Sequence, residues 1–86
     1  MLSPLQEILL RYELPARAIS AIAPSLDHGI WRVMFSFQPG DPVKLMDIGR
    51  AFLLADELYD ASELNLAERL RKAADDAKRY ALAGRK

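Results

Sequence analysis

Near the start of the chain, apolar residues recur with the spacing of a helix. Four residues at i, i+3, i+4 and i+7 fall on one helical face: Leu5, Ile8, Leu9 and Tyr12. Ser3 and Gln6 have the spacing of a capping box, and Pro4 between them suits the first helical position. The helix is expected to end near Glu13, because Pro15 disfavours helical backbone at the residue before it.

Residues 29–37, GIWRVMFSF, alternate in the manner of a β-strand. One face of this strand carries large apolar side chains: Trp31, Val33, Phe35 and Phe37. The other face is mixed: Ile30, Arg32, Met34 and Ser36. We expect the apolar face to lie against helices, since large apolar residues are mostly buried. The mixed face is then either half exposed or covered by something else.

Residues 15–24 fit two structures. The alanines and the spacing of Ile19 and Ile22 suit a short helix, whereas the alternation of side chains suits a strand followed by a turn over residues 24–29. A helix here would leave the backbone of the next strand without a partner in the same chain. The pattern therefore predicts a β-hairpin that pairs residues 17–23 with 30–37; if residues 15–24 are helical, the strand pairs between chains.

A helix is predicted over residues 43–58, where apolar positions extend around much of the helical surface. Asp41 followed by Pro42 has the form of a helix start. Gly49 is unfavourable in mid-helix relative to alanine, which predicts a close approach between this helix and the next.

The last predicted helix covers residues 61–82. Asp60 and Glu63 have the spacing of a second capping box, and Gly84 is placed to cap the C-terminus. Apolar residues with alternating spacings of four and three form its seam: Leu66, Leu70, Ala73, Ala77 and Tyr80. Because the link between the last two helices is short, they are expected to form an antiparallel helical hairpin.

These elements predict a single small α+β domain over residues 1–86: an N-terminal helix, a two-stranded hairpin and a helical hairpin. The composition, 51% hydrophobic and 28% charged, is typical of a folded domain. A sheet of two strands is marginal by itself, so its open edge is expected to favour association with a second chain. The chain has no cysteine, which excludes disulfides, thiolate metal sites and cysteine nucleophiles.

The net charge is zero, but the charges are segregated. Asp56, Glu57 and Asp60 form an acidic corner, a candidate docking surface. The C-terminal end is basic, and four of its residues are candidate contacts for nucleic-acid phosphates: Lys78, Arg79, Arg85 and Lys86. Most nucleic-acid-binding surfaces have a clear cationic excess, so this second use is the weaker hypothesis.

Candidate catalytic chemistry is sparse. His28 is the one histidine, and it stands beside Asp27 in a predicted turn, where a solvent-exposed role is expected. No glycine-rich phosphate loop, nucleophile elbow or calcium-loop spacing is present. The ladder of Trp31, Phe35 and Phe37 is expected in the core rather than on a base-stacking surface. We therefore expect no enzyme activity, no cofactor and no metal.

The sequence leads to the hypothesis of a non-enzymatic protein–protein interaction module. We expect a small cytosolic regulator or adaptor that acts as a homodimer or on a larger protein, without a membrane partner. The alternative is a small DNA-binding transcriptional regulator that uses the last helix and the basic tail. The expected protein-interaction residues are on the mixed strand face and in the acidic corner: Ile30, Arg32, Met34, Asp56, Glu57 and Asp60.

Overall fold

The computed structural model describes residues 1–84 and has the predicted α+β architecture. Its elements in chain order are α1 (Pro4–Arg11), β1 (Ala21–Asp27), β2 (Ile30–Ser36), β3 (Lys44–Met46), α2 (Ile48–Asp60) and α3 (Leu64–Ala83). The capping box of α1 forms as expected, because the Ser3 hydroxyl accepts from the Gln6 backbone and the Gln6 side chain accepts from the Ser3 backbone. Within the described part of the chain, no helix is long and apolar enough to cross a membrane.

The predicted β-hairpin is confirmed, and the segment before the strand is therefore a strand itself. β1 and β2 pair antiparallel over seven residues each, from Ala21 opposite Ser36 to Asp27 opposite Ile30. The turn contains only His28 and Gly29, with φ of 49° and 82°. Positive φ at both central residues is the type I′ geometry that matches the twist of the strands. The predicted bounds of the hairpin's first strand, residues 17–23, were wrong, because β1 runs from Ala21 to Asp27, and the expected turn over residues 24–29 was therefore too long.

The helix start predicted at Asp41 was wrong. The Asp41 backbone N–H donates to the Gln38 carbonyl at 3.0 Å in a turn with Gly40 at φ 92°. Lys44–Met46 then forms β3 on β2, and α2 begins only after Asp47. A third strand forms here because β2 has a second edge, where Met46 is buried beside Val33. The sheet order β1-β2-β3 places β2 at the centre.

The second predicted capping box is also absent. Asp60 is the last residue of α2 rather than the cap of α3, and Ser62 turns the chain with a φ of 64°. Glu63 takes the N-cap position of α3 without a side-chain hydrogen bond. Gly84 is the C-cap of α3 as predicted, and its N–H donates to the Tyr80 carbonyl at 3.1 Å.

The core lies between one face of the sheet and the helices. Its fully enclosed large side chains come from both layers: Val33, Phe35, Leu54, Leu58 and Leu70. Six buried residues of α2 and α3 are alanines: Ala51, Ala55, Ala67, Ala73, Ala74 and Ala77. The close approach expected at Gly49 was wrong, because Gly49 is exposed and nothing lies within 4 Å of the position its Cβ would occupy. The buried alanines, rather than Gly49, supply the small side chains of the two helices.

Candidate functional site

The sheet has one covered and one open face. In an antiparallel sheet, residues directly opposite one another point to the same side. The inner face, against the helices, contains Val33, Phe35 and Met46, all buried. The outer face contains the complementary set: Ala21, Ala23, Ser25, Asp27, Ile30, Arg32, Met34, Ser36 and Leu45. None of these outer-face residues is buried within the structure of residues 1–84.

Apolar side chains that are exposed or half buried occupy the middle of the outer face. Ala23, Met34 and Leu45 lie side by side in one row across the three strands. Leu45 is 42% exposed, and Ile30 nearer the turn is 54% exposed. Contiguous exposed apolar side chains of this kind mark interaction surfaces, whereas single exposed apolar residues do not. The shortest dimension of the chain, 18 Å, accommodates the sheet and one helical layer.

The charged groups of the outer face pair with one another. The Nε atom of Arg32 lies 3.3 Å from Asp27 Oδ2, and its Nη1 atom binds Asp47 Oδ1 from the end of β3. Arg32 is therefore held between two carboxylates, although its Nε, shielded from solvent, makes no hydrogen bond within the described residues. A charge that is already paired costs less to bury against a partner than an unpaired one.

The structure thus brings together three residues predicted from the alternation in β2: Ile30, Arg32 and Met34. It adds Leu45 and Asp47, which sequence reasoning missed because residues 44–47 were assigned to a helix. The strand there, Lys44–Met46, has only three residues, which is too short for its sequence to show a period.

Both open edges of the sheet are poorly suited to pairing with another strand. Proline has no N–H to offer a neighbouring strand, and Pro24 stands at the middle of β1. At the opposite edge, β3 is three residues long. Short edges and edge prolines are the usual means by which proteins prevent strand addition.

The predicted acidic corner is occupied by contacts within the chain. Glu57 accepts from the Tyr12 hydroxyl and from Arg11, both on or beside α1. The hydrogen bond from Tyr12 is the main reason that the pKa of Glu57 is lowered, followed by the bond from Arg11. Burial, then the bond to Glu57, raises the pKa of Tyr12.

The other two acidic residues lie further along α2. Asp56 Oδ1 lies 3.3 Å from Arg71 Nη1 on α3, and Asp60 is exposed at the end of α2. Two of the three carboxylates that suggested a docking corner therefore have partners on neighbouring helices, and the docking role of the corner stays a prediction.

Charges of both signs line the basic end of α3. Asp76 binds Arg79, and its Oδ2 lies 3.5 Å from Lys72 Nζ. The hydrogen bond from Arg79 is the main reason that the pKa of Asp76 is lowered. Lys78 is exposed, while Arg85 and Lys86 lie outside the described residues. Nucleic-acid contact by these four residues stays a prediction.

His28 and the aromatic ladder lie as the sequence indicated. His28 is exposed in the turn, with its Nδ1 3.7 Å from Asp27 Oδ1. Trp31 is half buried on the inner face, where its ring centroid lies 5.0 Å from that of Tyr80 on α3. Within residues 1–84, no group of three potential metal ligands comes together.

Comparison of the chain with protein-family models, curated proteins and solved structures finds no match in any of the three. The function proposed below is therefore inferred from the molecule's own surfaces, chiefly from the outer face of the sheet.

Proposed function

We propose that the protein is a non-enzymatic interaction module that works as a homodimer, with the outer face of the sheet as the interface. The role of a small regulator or adaptor in the cytosol, inferred from the sequence, is part of the same proposal. The observation that carries it is the apolar row of Ala23, Met34 and Leu45 beside the internally paired Arg32, in which Leu45 is exposed and the other two are half buried.

The energetics favour association through this face. Burying Met34, Leu45 and Ile30 removes apolar surface from water, which is worth roughly 25 cal/mol per Å². Arg32 brings its own counter-charges, Asp27 and Asp47, to the interface. Neither copy then has to bury an unpaired charge. A buried charge without a partner would be strongly destabilising.

The size of the face sets the strength of the dimer. The two seven-residue strands extend about 23 Å and the three-residue β3 about 10 Å, which at about 4.8 Å of width per strand gives roughly 270 Å² per chain. A standard stable interface buries about 800 Å² per partner. The dimer is therefore of the weak, concentration-dependent class, and its two copies exchange readily.

Sedimentation equilibrium over a wide concentration range tests the proposal with two matched variants. Leu45 on the outer face and Leu53 on α2 are both exposed, at 42% and 60%. We expect the wild-type mass to rise with concentration from one chain towards two, Leu45→Asp to abolish the rise, and Leu53→Asp to preserve it. A wild-type protein that stays monomeric at every concentration, or a rise abolished only by Leu53→Asp, would overturn the proposal.

A further inference from the structure

The outer face has a gradient of side-chain size from one edge to the other. Three of its four residues on β1 are small, namely Ala21, Ala23 and Ser25, and the fourth, Asp27, lies beside the turn. Met34 stands in the centre on β2, and Leu45 is the large residue on β3. Val43, 49% exposed, immediately precedes β3 and extends the large side. The side chains of the outer face are therefore short along β1, which makes that side low, and long along β3, which makes that side high.

If the strands of the two sheets are aligned, two copies can meet on this face about a two-fold axis in either of two ways. An axis across the strands places Ala23 on the partner's Ala23 and Leu45 on the partner's Leu45. The short side chains of the two copies then face each other, as do the long ones, and a gap opens on the side of the short side chains. Because packed interfaces approach the density of protein interiors, such a gap is unfavourable.

An axis along β2 removes the mismatch. It places Ala23 on the partner's Leu45 and Leu45 on the partner's Ala23, so that each high side fills the other chain's low side. Met34 meets the partner's Met34 at the axis, where its flexible thioether side chain can fill an irregular space. An interface of this kind uses one patch on both copies, as two-fold symmetry requires.

Polar groups fit the same arrangement. Ser25, Arg32 and Asp47 lie in one row, since Ser25 is opposite Arg32 and Arg32 binds Asp47. The axis along β2 brings Asp47, whose side chain is 73% exposed, over the partner's Ser25. The serine hydroxyl can donate to that carboxylate. Each Arg32 keeps its two carboxylates from its own chain, which offsets the approach of the two guanidinium groups.

We propose that the homodimer has its two-fold axis along β2, with β1 of each copy over β3 of the other and Met34 at the axis. This inference rests on the proposed homodimer and specifies which residues of the partner each strand contacts. Face-to-face sheets lie about 10 Å apart, and facing side chains lie closer than that.

Cross-linking between engineered cysteines tests the arrangement, and the absence of native cysteine makes the readout clean. The variants are Ala23→Cys, Met34→Cys and Leu45→Cys, with Leu53→Cys on α2 as the control for random collision. Each is treated with a bismaleimide reagent short enough to span facing side chains, at a concentration where the wild type is dimeric. Circular dichroism and the sedimentation mass of each variant accompany the reaction.

Cross-linked dimer is expected from Met34→Cys alone and from an equal mixture of Ala23→Cys and Leu45→Cys. Ala23→Cys alone, Leu45→Cys alone and Leu53→Cys alone should give only the background of collision. Efficient cross-linking of Ala23→Cys alone and of Leu45→Cys alone would overturn the axis along β2 while leaving an outer-face dimer. No cross-linking by any outer-face variant in a dimeric protein would overturn both proposals, and a strictly monomeric wild type would overturn the homodimer itself.

Discussion

Pro24 of β1 lies opposite Val33 of β2 in a pair whose backbone groups point away from each other. The two-residue turn makes Asp27 and Ile30 a hydrogen-bonded pair, and such pairs alternate with non-hydrogen-bonded ones along an antiparallel ladder. By that alternation, the nitrogen of Pro24 is on the free edge of the sheet. The central donor of that edge is missing, which makes the edge poorly suited to pairing with another strand.

Restoring this donor is expected to make the edge competent for pairing. Pro24→Thr adds an N–H at the middle of β1 and a residue with good strand propensity. We expect aggregation or extra association in light scattering at concentrations where the wild type scatters as monomer and dimer. Pro39→Thr is the matched control, because Pro39 lies in the turn between Gln38 and Asp41. Equal scattering by the two variants would contradict the account of the edge.

The hydroxyl of Tyr12 is expected to contribute to stability by fixing α1 on α2. Tyr12→Phe removes the hydrogen bond to Glu57 but keeps the ring, over which the Arg50 guanidinium lies at 4.9 Å. A loss of about 1 kcal/mol in the free energy of unfolding is expected at pH 7, measured by urea denaturation. Tyr59→Phe, at a tyrosine 51% exposed, should change it by less than about 0.5 kcal/mol. Equal effects of the two changes would show that the hydroxyl of Tyr12 contributes nothing specific.

Stability is expected to fall in acid partly through Glu57. Because its pKa is lowered in the folded protein, its ionised form favours folding. That contribution is complete above the unfolded-state pKa of about 4.3 and is lost as the pH falls through the lower folded-state value. The difference in Tm between wild type and Tyr12→Phe should therefore be largest near neutral pH and shrink below about pH 4. A difference that stays constant down to pH 3 would argue against this linkage.

Adjacent leucines on α2 should differ sharply in their contribution to stability. Leu54 is fully buried between the sheet and the helices, while Leu53 is 60% exposed. Leu54→Ala leaves a cavity and is expected to lower the free energy of unfolding by about 2–5 kcal/mol. For Leu53→Ala the expected change is within about 0.5 kcal/mol. Denaturant unfolding measures both free energies, provided that the dependence on denaturant concentration is similar in the two variants. Similar losses of stability in the two variants would contradict the placement of α2.

Elements with a strong period or a local cap were predictable from the sequence. The stripe of α1 with its Ser3–Gln6 box, the alternation of β2 and the seam of α3 are local signals, and each is found in the structure. The third strand was not predictable in this way, because three residues show no period and their conformation depends on pairing with β2. Asp41 resembled a helix cap, but its carboxylate binds Arg17 Nη1 at 2.8 Å, a contact 24 residues apart in the chain.

The residues of the candidate site also differ in whether a local sequence pattern could predict them. Ile30, Arg32 and Met34 share a face by the alternation of a single strand, so the sequence alone placed them together. Leu45 and Asp47 join them only through the pairing of β3 with β2. Two carboxylates of the acidic corner, Asp56 and Glu57, have partners on α3 and α1 that lie 15 and 46 residues away, at separations that no local pattern encodes.

A dilution series of two-dimensional amide NMR spectra tests the central claim most directly, because it maps association onto individual residues. We predict concentration-dependent shifts at Ala23, Met34 and Leu45, with constant signals at Leu53 and Lys78. Signals that stay constant throughout the outer face, or shifts confined to α2 and α3, would contradict the claim that this face joins two copies of the chain.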